Sequence, residues 1–273
     1  MEKKYKVVDE VVTDYGAVLH RIQALRDFGK VKKGDFGGWI EKESNLSHEG
    51  TCWVYDNAKV FGGAVVSGSA SIKDEAKIYG KAIVSDASVF GKAKVYGNAT
   101  VFGKAKVFGS AVVYDNVFVR GNARVFGSAE VHGLAGVKDS ACVYGEAKVF
   151  GHSYVFGNAR VHGFCLVRGK AIVCGQAEIS GSVDVCNDAV VSDRAKIFGT
   201  AILSSASDYI VFRRWWSDDS VLTWTRSNNE WSVDGKSLKV EDFISLGFDQ
   251  STQIGMYHWL LTYRVNCLIM ENL

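Results

Sequence analysis

Residues 51–205 repeat one six-residue unit, x-Ala-x-Val-x-Gly, almost without a break. Its longest clean run reads Lys92-Ala93-Lys94-Val95-Tyr96-Gly97, Asn98-Ala99-Thr100-Val101-Phe102-Gly103 and Lys104-Ala105-Lys106-Val107-Phe108-Gly109. A unit this short has no interior of its own. It buries apolar side chains only by stacking on copies of itself, so the chain must form a solenoid. Numbered from Asn57-Ala58-Lys59-Val60-Phe61-Gly62, place four is Val, Ile or Leu from Val54 to Leu203, and place two is Ala nearly throughout. Cys52, Val117, Ser153, Cys165 and Val183 replace that Ala, and all are small or apolar. Place six is Gly or Asp, apart from Asn187 and Ser205.

Successive side chains of a strand point to opposite faces. Places two and four therefore form an inward layer of Ala and Val, while places three and five face outward. Gly or Asp at place six supplies a corner whose backbone is closed to bulkier residues. Three strands and three corners make a triangular coil of about 18 residues. About eight or nine coils spaced about 4.8 Å apart would make a prism about 40 Å long. One unit is short: Ala87-Ser88-Val89-Phe90-Gly91 lacks place one, yet Ala87 and Val89 keep their inward places. A pentapeptide helix would need such five-residue units throughout. A close-packed aliphatic interior has no void and no polar anchor, so function is expected on the outer faces or at the ends.

Taking every third unit sorts the outward residues into three columns. The first carries Lys59, Lys77, Lys94 and Lys148 beside Phe61, Tyr79, Tyr96, Tyr114 and Phe150. The third pairs Lys106, Arg124, Arg160 and Lys196 with Phe90, Phe108, Phe126 and Tyr144. Both read as amphipathic, solvated surfaces. The second is apolar: Val65, Ile83, Thr100, Phe118, Gly136, Tyr154, Ile172 and Val190 follow one another, with Phe102 and Phe156 nearby. That is more apolar surface than a monomer leaves to water. An oligomer or partner face is expected on Val65, Ile83, Phe102, Phe118, Tyr154, Phe156, Ile172 and Val190, with a homodimer or homotrimer closing around its axis. Cover by the chain's own terminal segments is the competing account. Cations beside rings also build single-strand nucleic-acid platforms. Glu130 and Asp184 interrupt the first column, however, and aromatic ladders stabilise sheets without a ligand, so nucleic acid is not the expected partner.

Lys and Arg number 32 against 30 Asp and Glu, and a net charge of +2 gives no bulk attraction to nucleic acid or membrane. The amino-terminal segment has no apolar run long enough for a signal peptide or membrane span, so a soluble, cytoplasmic protein is expected. Six cysteines (Cys52, Cys142, Cys165, Cys174, Cys186 and Cys267) contain no C-x-x-C pair. Neither a zinc site nor a disulfide framework is signalled, and reduced thiols are expected. His132, His152 and His162 lie on coils with no neighbouring acid or excursion loop expected to orient them as a base, so no catalytic, cofactor-binding or metal-binding residue is assigned.

Residues 4–24 alternate around Asp14-Tyr15-Gly16, the pattern of a hairpin. The expected division is a hairpin or cap over 1–36, the solenoid over 37–205 and a small α+β module over 206–273. In that module Tyr209 to Trp216 and Val221 to Val233 read as strands, and Val240 to Leu246 and Ser251 to Ile269 as helices. Its tryptophans make either a compact core or a recognition surface. For the second, Arg213, Arg214, Trp215, Trp216, Trp224 and Arg226 are the candidates, since Trp and Arg dominate interface hot spots.

The repeat is similar to that of the hexapeptide-repeat proteins, and this resemblance implies a left-handed parallel β-helix, against the right-handed rule for other parallel crossovers. The chain also carries Leu25-Arg26-Asp27-Phe28-Gly29 and Gly34-Asp35-Phe36-Gly37-Gly38-Trp39-Ile40 ahead of the repeat. Over His20 to Ser47, the repeat and part of Thr223-Trp224-Thr225-Arg226-Ser227 it resembles bacteriophage and prophage proteins labelled hexapeptide-repeat transferases. Those proteins carry a Gly-Cys-Phe stretch after the last Trp of this region, where this chain has Ser232-Val233-Asp234-Gly235. The same fold hosts acyltransferases and a class of carbonic anhydrase, so fold alone does not choose a function. Resemblance to the acyltransferases implies a trimer with a His base in the cleft between subunits, beside a loop that leaves the coil. The expectation is a non-catalytic scaffold or interaction protein of phage type, working in the host bacterial cytoplasm. It would bind a host protein through its outer faces or carboxy-terminal module, in one version inhibiting a defence system. The alternative is a trimeric acyltransferase using acyl-CoA.

Overall fold

In the computed structural model, which describes residues 3–213, 221–233 and 236–239, the repeat winds as a hexapeptide-repeat, left-handed parallel β-helix. Strands of two or three residues occupy its three faces in turn, as in Lys94–Val95, Thr100–Phe102 and Lys106–Val107. Each pairs in parallel with the strand one coil further on, setting Lys94 opposite Val112, Thr100 opposite Phe118 and Lys106 opposite Arg124. The three columns read from the period are thus the outer rows of three sheets, with nine, eight and nine coil strands on the first, second and third faces. The helices expected over 240–246 and 251–269 lie outside the described residues. Among the described residues no helix is long and apolar enough to cross a membrane.

Inward places are sealed. Ala93, Val95, Ala129 and Val131 are fully buried, as are nearly all their equivalents, and each buried Val contributes roughly 1.5–3 kcal/mol relative to leaving it in water. Ser153, the one hydroxyl among the inward substitutes, donates to the Phe150 carbonyl (2.8 Å) and lies 3.1 Å from that of Val167. Cys165 is buried in the same layer, and burial pushes its thiol up to about 11.

Corners turn through positive φ at place six. Gly127 has φ +71, and an added Cβ would lie 2.9 Å from the Gly145 nitrogen on the next coil. Where Asp takes this place it adopts the same conformation and uses its carboxylate. Asp115 and Asp139, both at φ 61, accept from the Gly133 and Gly157 N–H groups at 3.1 Å. The short unit keeps its register: Ser88 pairs with Ser71 before it and Lys106 after it. Its tight corner is held by Asp86, whose carboxylate accepts from Ser69 N (2.9 Å), Ser69 Oγ (3.0 Å) and Ser85 Oγ (3.0 Å).

A stack of coils leaves carbonyls open at one end and N–H groups at the other, and both ends carry side chains that answer them. At the start, Tyr5–Asp14 and Ala17–Ala24 form an antiparallel hairpin, and Phe36–Ile40 joins it to the first face. Lys4 Nζ donates to the Cys52 carbonyl (2.9 Å), Asn45 Nδ2 to that of Ala64 (2.8 Å) and the Tyr5 hydroxyl to that of Leu46 (2.8 Å). At the far end a four-stranded antiparallel sheet (Tyr209–Arg213, Val221–Thr225, Glu230–Val233 and Lys236–Lys239) closes the stack. Its hydroxyls stand in for a missing coil: Thr223 accepts from Lys196 N (3.0 Å), Ser232 from Phe198 N (3.0 Å) and Ser227 from Ile202 N (2.7 Å). Open strand edges are blunted at both ends.

Candidate functional site

The first face is partly occupied by the chain itself. At the hairpin tip Tyr15 (φ 46) and Gly16 (φ 80) turn the strand, and the tip lies over the first two rungs. Asp14 pairs with Lys59 (2.8 Å) and Lys77 (2.7 Å), while the Tyr15 ring stacks at 6.2 Å from Phe61 and 5.5 Å from Tyr79. Behind it Leu19, Trp39 and Phe61 form a buried cluster. Burial alone would raise the Asp14 carboxyl, but hydrogen bonds from Lys59 and Lys77 outweigh it and hold the group below the usual carboxylate range. This corrects the reading of the first column as solvated throughout. It also shows where this terminal segment goes: the hairpin covers the first face and not the second.

Beyond the tip the rings form ladders. On the first face Phe61, Tyr79, Tyr96, Tyr114, His132 and Phe150 stack with centroids 4.7–5.0 Å apart and planes within 10°. On the third, Phe90, Phe108, Phe126, Tyr144 and His162 stack at 4.5–4.8 Å and within 9°. Each ring covers the faces of its neighbours and turns only an edge to solvent. A single-stranded nucleic acid needs open faces on which to stack bases, so these ladders do not supply one.

Seven of the eight candidates for the second face lie on strands of the eight-stranded sheet, and Phe156 directly follows one of them, Tyr154–Val155. Val65, Ile83 and Phe102 are 37%, 45% and 36% exposed, and Phe118, Tyr154, Phe156, Ile172 and Val190 are half-buried against their neighbours. At Gly136 the Phe118 and Tyr154 rings close over the backbone, where an added Cβ would meet Phe118 Cζ at 2.4 Å. Two cations lie on this surface, Arg120 over the Phe118 ring (5.6 Å) and Lys138 over that of Phe156 (4.4 Å). The face is a flat aromatic and aliphatic strip rimmed by positive charge.

The histidines do have acidic neighbours, contrary to the linear reading. His162 Nε2 is 3.4 Å from Glu178 Oε1, and His132 Nδ1 is 4.0 Å from Asp115 Oδ2. Each acid comes from an adjacent coil, 16 or 17 residues away, where sequence neighbourhood does not reveal it. Sequence reasoning also missed His48. Its Nδ1 accepts from Lys4 N (3.1 Å), which leaves the proton on Nε2 to meet Glu43 (2.7 Å), and its ring stacks on Tyr5 (4.4 Å). That cluster ties the hairpin to the first coil. Among the described residues no group of three or more His, Cys, Asp or Glu is placed to hold a metal ion.

The carboxy-terminal candidates divide. Trp224 is 2% exposed and donates its indole N–H to Asn229 (2.9 Å), so it belongs to the core of the closing sheet; this corrects its reading as a recognition residue. Trp231 is buried with it. Arg226 is exposed, 4.0 Å from Asp208. Arg214, Trp215, Trp216 and the side chain of Arg213 lie outside the described residues.

No family model matches the chain. Over 56 residues it is 50% identical to YdcK of Escherichia coli (strain K12), a protein named as an uncharacterized acetyltransferase. That stretch is 20% of this chain and covers only 17% of the curated relative's length. A repeat that prescribes three places in six brings two chains of the same fold to about this identity without shared chemistry, and fold does not carry function. What the coils and the comparison establish together is a hexapeptide-repeat left-handed β-helix, similar over a short stretch to a protein named as an acetyltransferase.

Proposed function

We propose that this chain is a non-catalytic interaction protein: a rigid, doubly capped β-helix that self-associates through its second face and meets a bacterial host protein with the surfaces left free. The observation that carries this reading is the apolar outward column from Val65 to Val190, which the amino-terminal hairpin bypasses. Contiguous apolar surface of this kind marks protein–protein contact, and cyclic closure is the usual outcome for identical faces. Light scattering tests it. A dimeric or trimeric mass for the wild type and a monomeric mass for Phe118→Glu is the expected pair of results; a monomeric wild type at micromolar concentration overturns the self-association. The phage-type role, including interference with a host defence system, follows from the resemblance and is tested by recovery of one stoichiometric bacterial protein with the intact chain.

A second reading, a trimeric acyltransferase using acyl-CoA, is favoured by two observations: the name of the partial relative and the approach of His162 to Glu178. In that reading His162 Nδ1 takes the proton of an acceptor hydroxyl or amine, while Nε2–H faces Glu178, which steadies the imidazolium. Its ring edge faces solvent on an unbroken coil, with no excursion loop to shelter a thioester. Acetyl-CoA would raise the melting temperature of the wild type and not of His162→Ala if this reading held; the interaction reading expects no shift in either.

A further inference from the structure

The molecule displays, on its own first face, what a cation-and-ring rung binds. There Lys59 and Lys77 stand in register on adjacent strands, beside Phe61 and Tyr79 stacked at 5.0 Å and 3°. Into this pair the hairpin turn sets a carboxylate, Asp14, between the two ammonium groups, and the next residue, Tyr15, against the two rings. The third face repeats the arrangement. Lys106 and Arg124 stand in register beside Phe108 and Phe126, stacked at 4.8 Å and 2°. Both cations are exposed and neither has a counter-ion among the described residues. On the first face, by contrast, Lys148 is matched by Glu130 and Arg168 by Asp184.

We propose that the Lys106/Phe108 and Arg124/Phe126 rungs of the third face are a docking site for a partner protein that presents an acidic residue followed by an aromatic one in a turn. The partner is a protein segment because the occupant seen on the first-face rung, among the described residues, is peptide. Outward ring edges are the positive part of the aromatic quadrupole and reinforce the cations in attracting a carboxylate. Arg124 adds a planar fork that takes both oxygens of a carboxylate at once. Lys104 at the preceding corner and Arg160 two coils on extend the positive strip. This inference rests on the interaction reading but uses a different face from the self-association, so each can fail without the other.

The probe is a fluorescent synthetic peptide copying residues 8–22, which carries the Asp14-Tyr15 turn, titrated against the full chain by anisotropy. Saturable binding is expected, weakened at least tenfold by Lys106→Glu with Arg124→Glu, by Asp14→Asn in the peptide and by Tyr15→Ala in the peptide. Lys30→Glu with Lys33→Glu makes the same charge change at other exposed positions and is expected to leave binding within about twofold. Arg124→Gln alone, a milder change at an exposed site, is expected to weaken it severalfold if the double variant folds poorly. Equal losses in both charge-reversed variants, no loss in the third-face variant or no saturation at millimolar peptide overturns the proposal, as does oligothymidylate binding more tightly at the same residues. Displacement of the peptide by a second copy's hairpin would show as third-face-dependent self-association that survives Phe118→Glu, and would assign the site to the chain itself instead of a partner.

Discussion

At Gly127 two constraints coincide, a positive φ and a neighbouring corner 2.9 Å from where a Cβ would stand. An Ala there is strained in conformation and in contact, each at an order of 1–3 kcal/mol. Gly127→Ala is expected to lower the urea midpoint with the slope unchanged, a loss of about 2–6 kcal/mol of stability, whereas Ser128→Ala, at the exposed place beside it, stays within about 0.5 kcal/mol. Tyr79 makes a second residue-scale case. Burial, with smaller contributions from Tyr96, Tyr15 and Asp14, pushes its hydroxyl up to about 12. A group raised on folding stabilises the native state fully below its unfolded value, near 10, and the contribution disappears as pH rises through the folded one. Stability measured from pH 9 to 12 is therefore expected to fall above about pH 10, and Tyr79→Phe to flatten that fall.

Among the elements, the closing sheet shows what an end of this fold requires. Thr223 and Ser232 are buried, and their oxygens are the acceptors for Lys196 and Phe198 N–H groups that have no further coil. Thr223→Val and Ser232→Ala leave those donors unpaired, at about 1–3 kcal/mol each, and faster amide exchange confined to the last coil would confirm the assignment. The hairpin gives an acid-side prediction. Asp14 is depressed by its two lysines, so its contribution is present above the unfolded carboxyl value near 3.9 and is lost as pH falls through the folded one. Asp14→Asn should remove that acid-side step and loosen the Tyr15–Phe61 and Tyr15–Tyr79 contacts, seen as a change in tyrosine emission.

How much of this was legible divides along the same line. Period alone places Lys106 against Arg124 and Phe118 against Gly136, because a fixed coil length converts sequence spacing into sheet register. It does not reveal that Asp14 lands on Lys59 and Lys77, 45 and 63 residues away, because the hairpin lies outside the hexad. The period does set Glu178 opposite Arg160, two residues from His162, so that approach is legible in the coil register and not in the linear neighbourhood. Trp224 was ambiguous for another reason: composition distinguishes a hot spot from a core only through burial, which the closing sheet decides.

For the whole molecule, stability is a sum over coils and their interfaces, so length should change in whole coils without loss of fold. Deleting residues 164–181 joins Gly163 to Ser182, removes one strand from each face and returns every later residue to its own column. This variant is expected to keep its far-UV spectrum, a cooperative transition and the self-association of the second face, with Tyr154 now paired to Val190. Deleting only 170–175 keeps the hexad and the buried layer but turns every later unit by one face. Glu178 and Lys196 then follow Tyr154 on the second face, and the apolar strip is cut short. That variant is expected to fold as well and to associate less, the midpoint of self-association moving to higher concentration by about tenfold or more. If both deletions associate like the wild type, the second face is not the contact surface; if the shorter deletion alone fails to fold, place in the coil carries more specificity than the repeated inward Ala and Val imply.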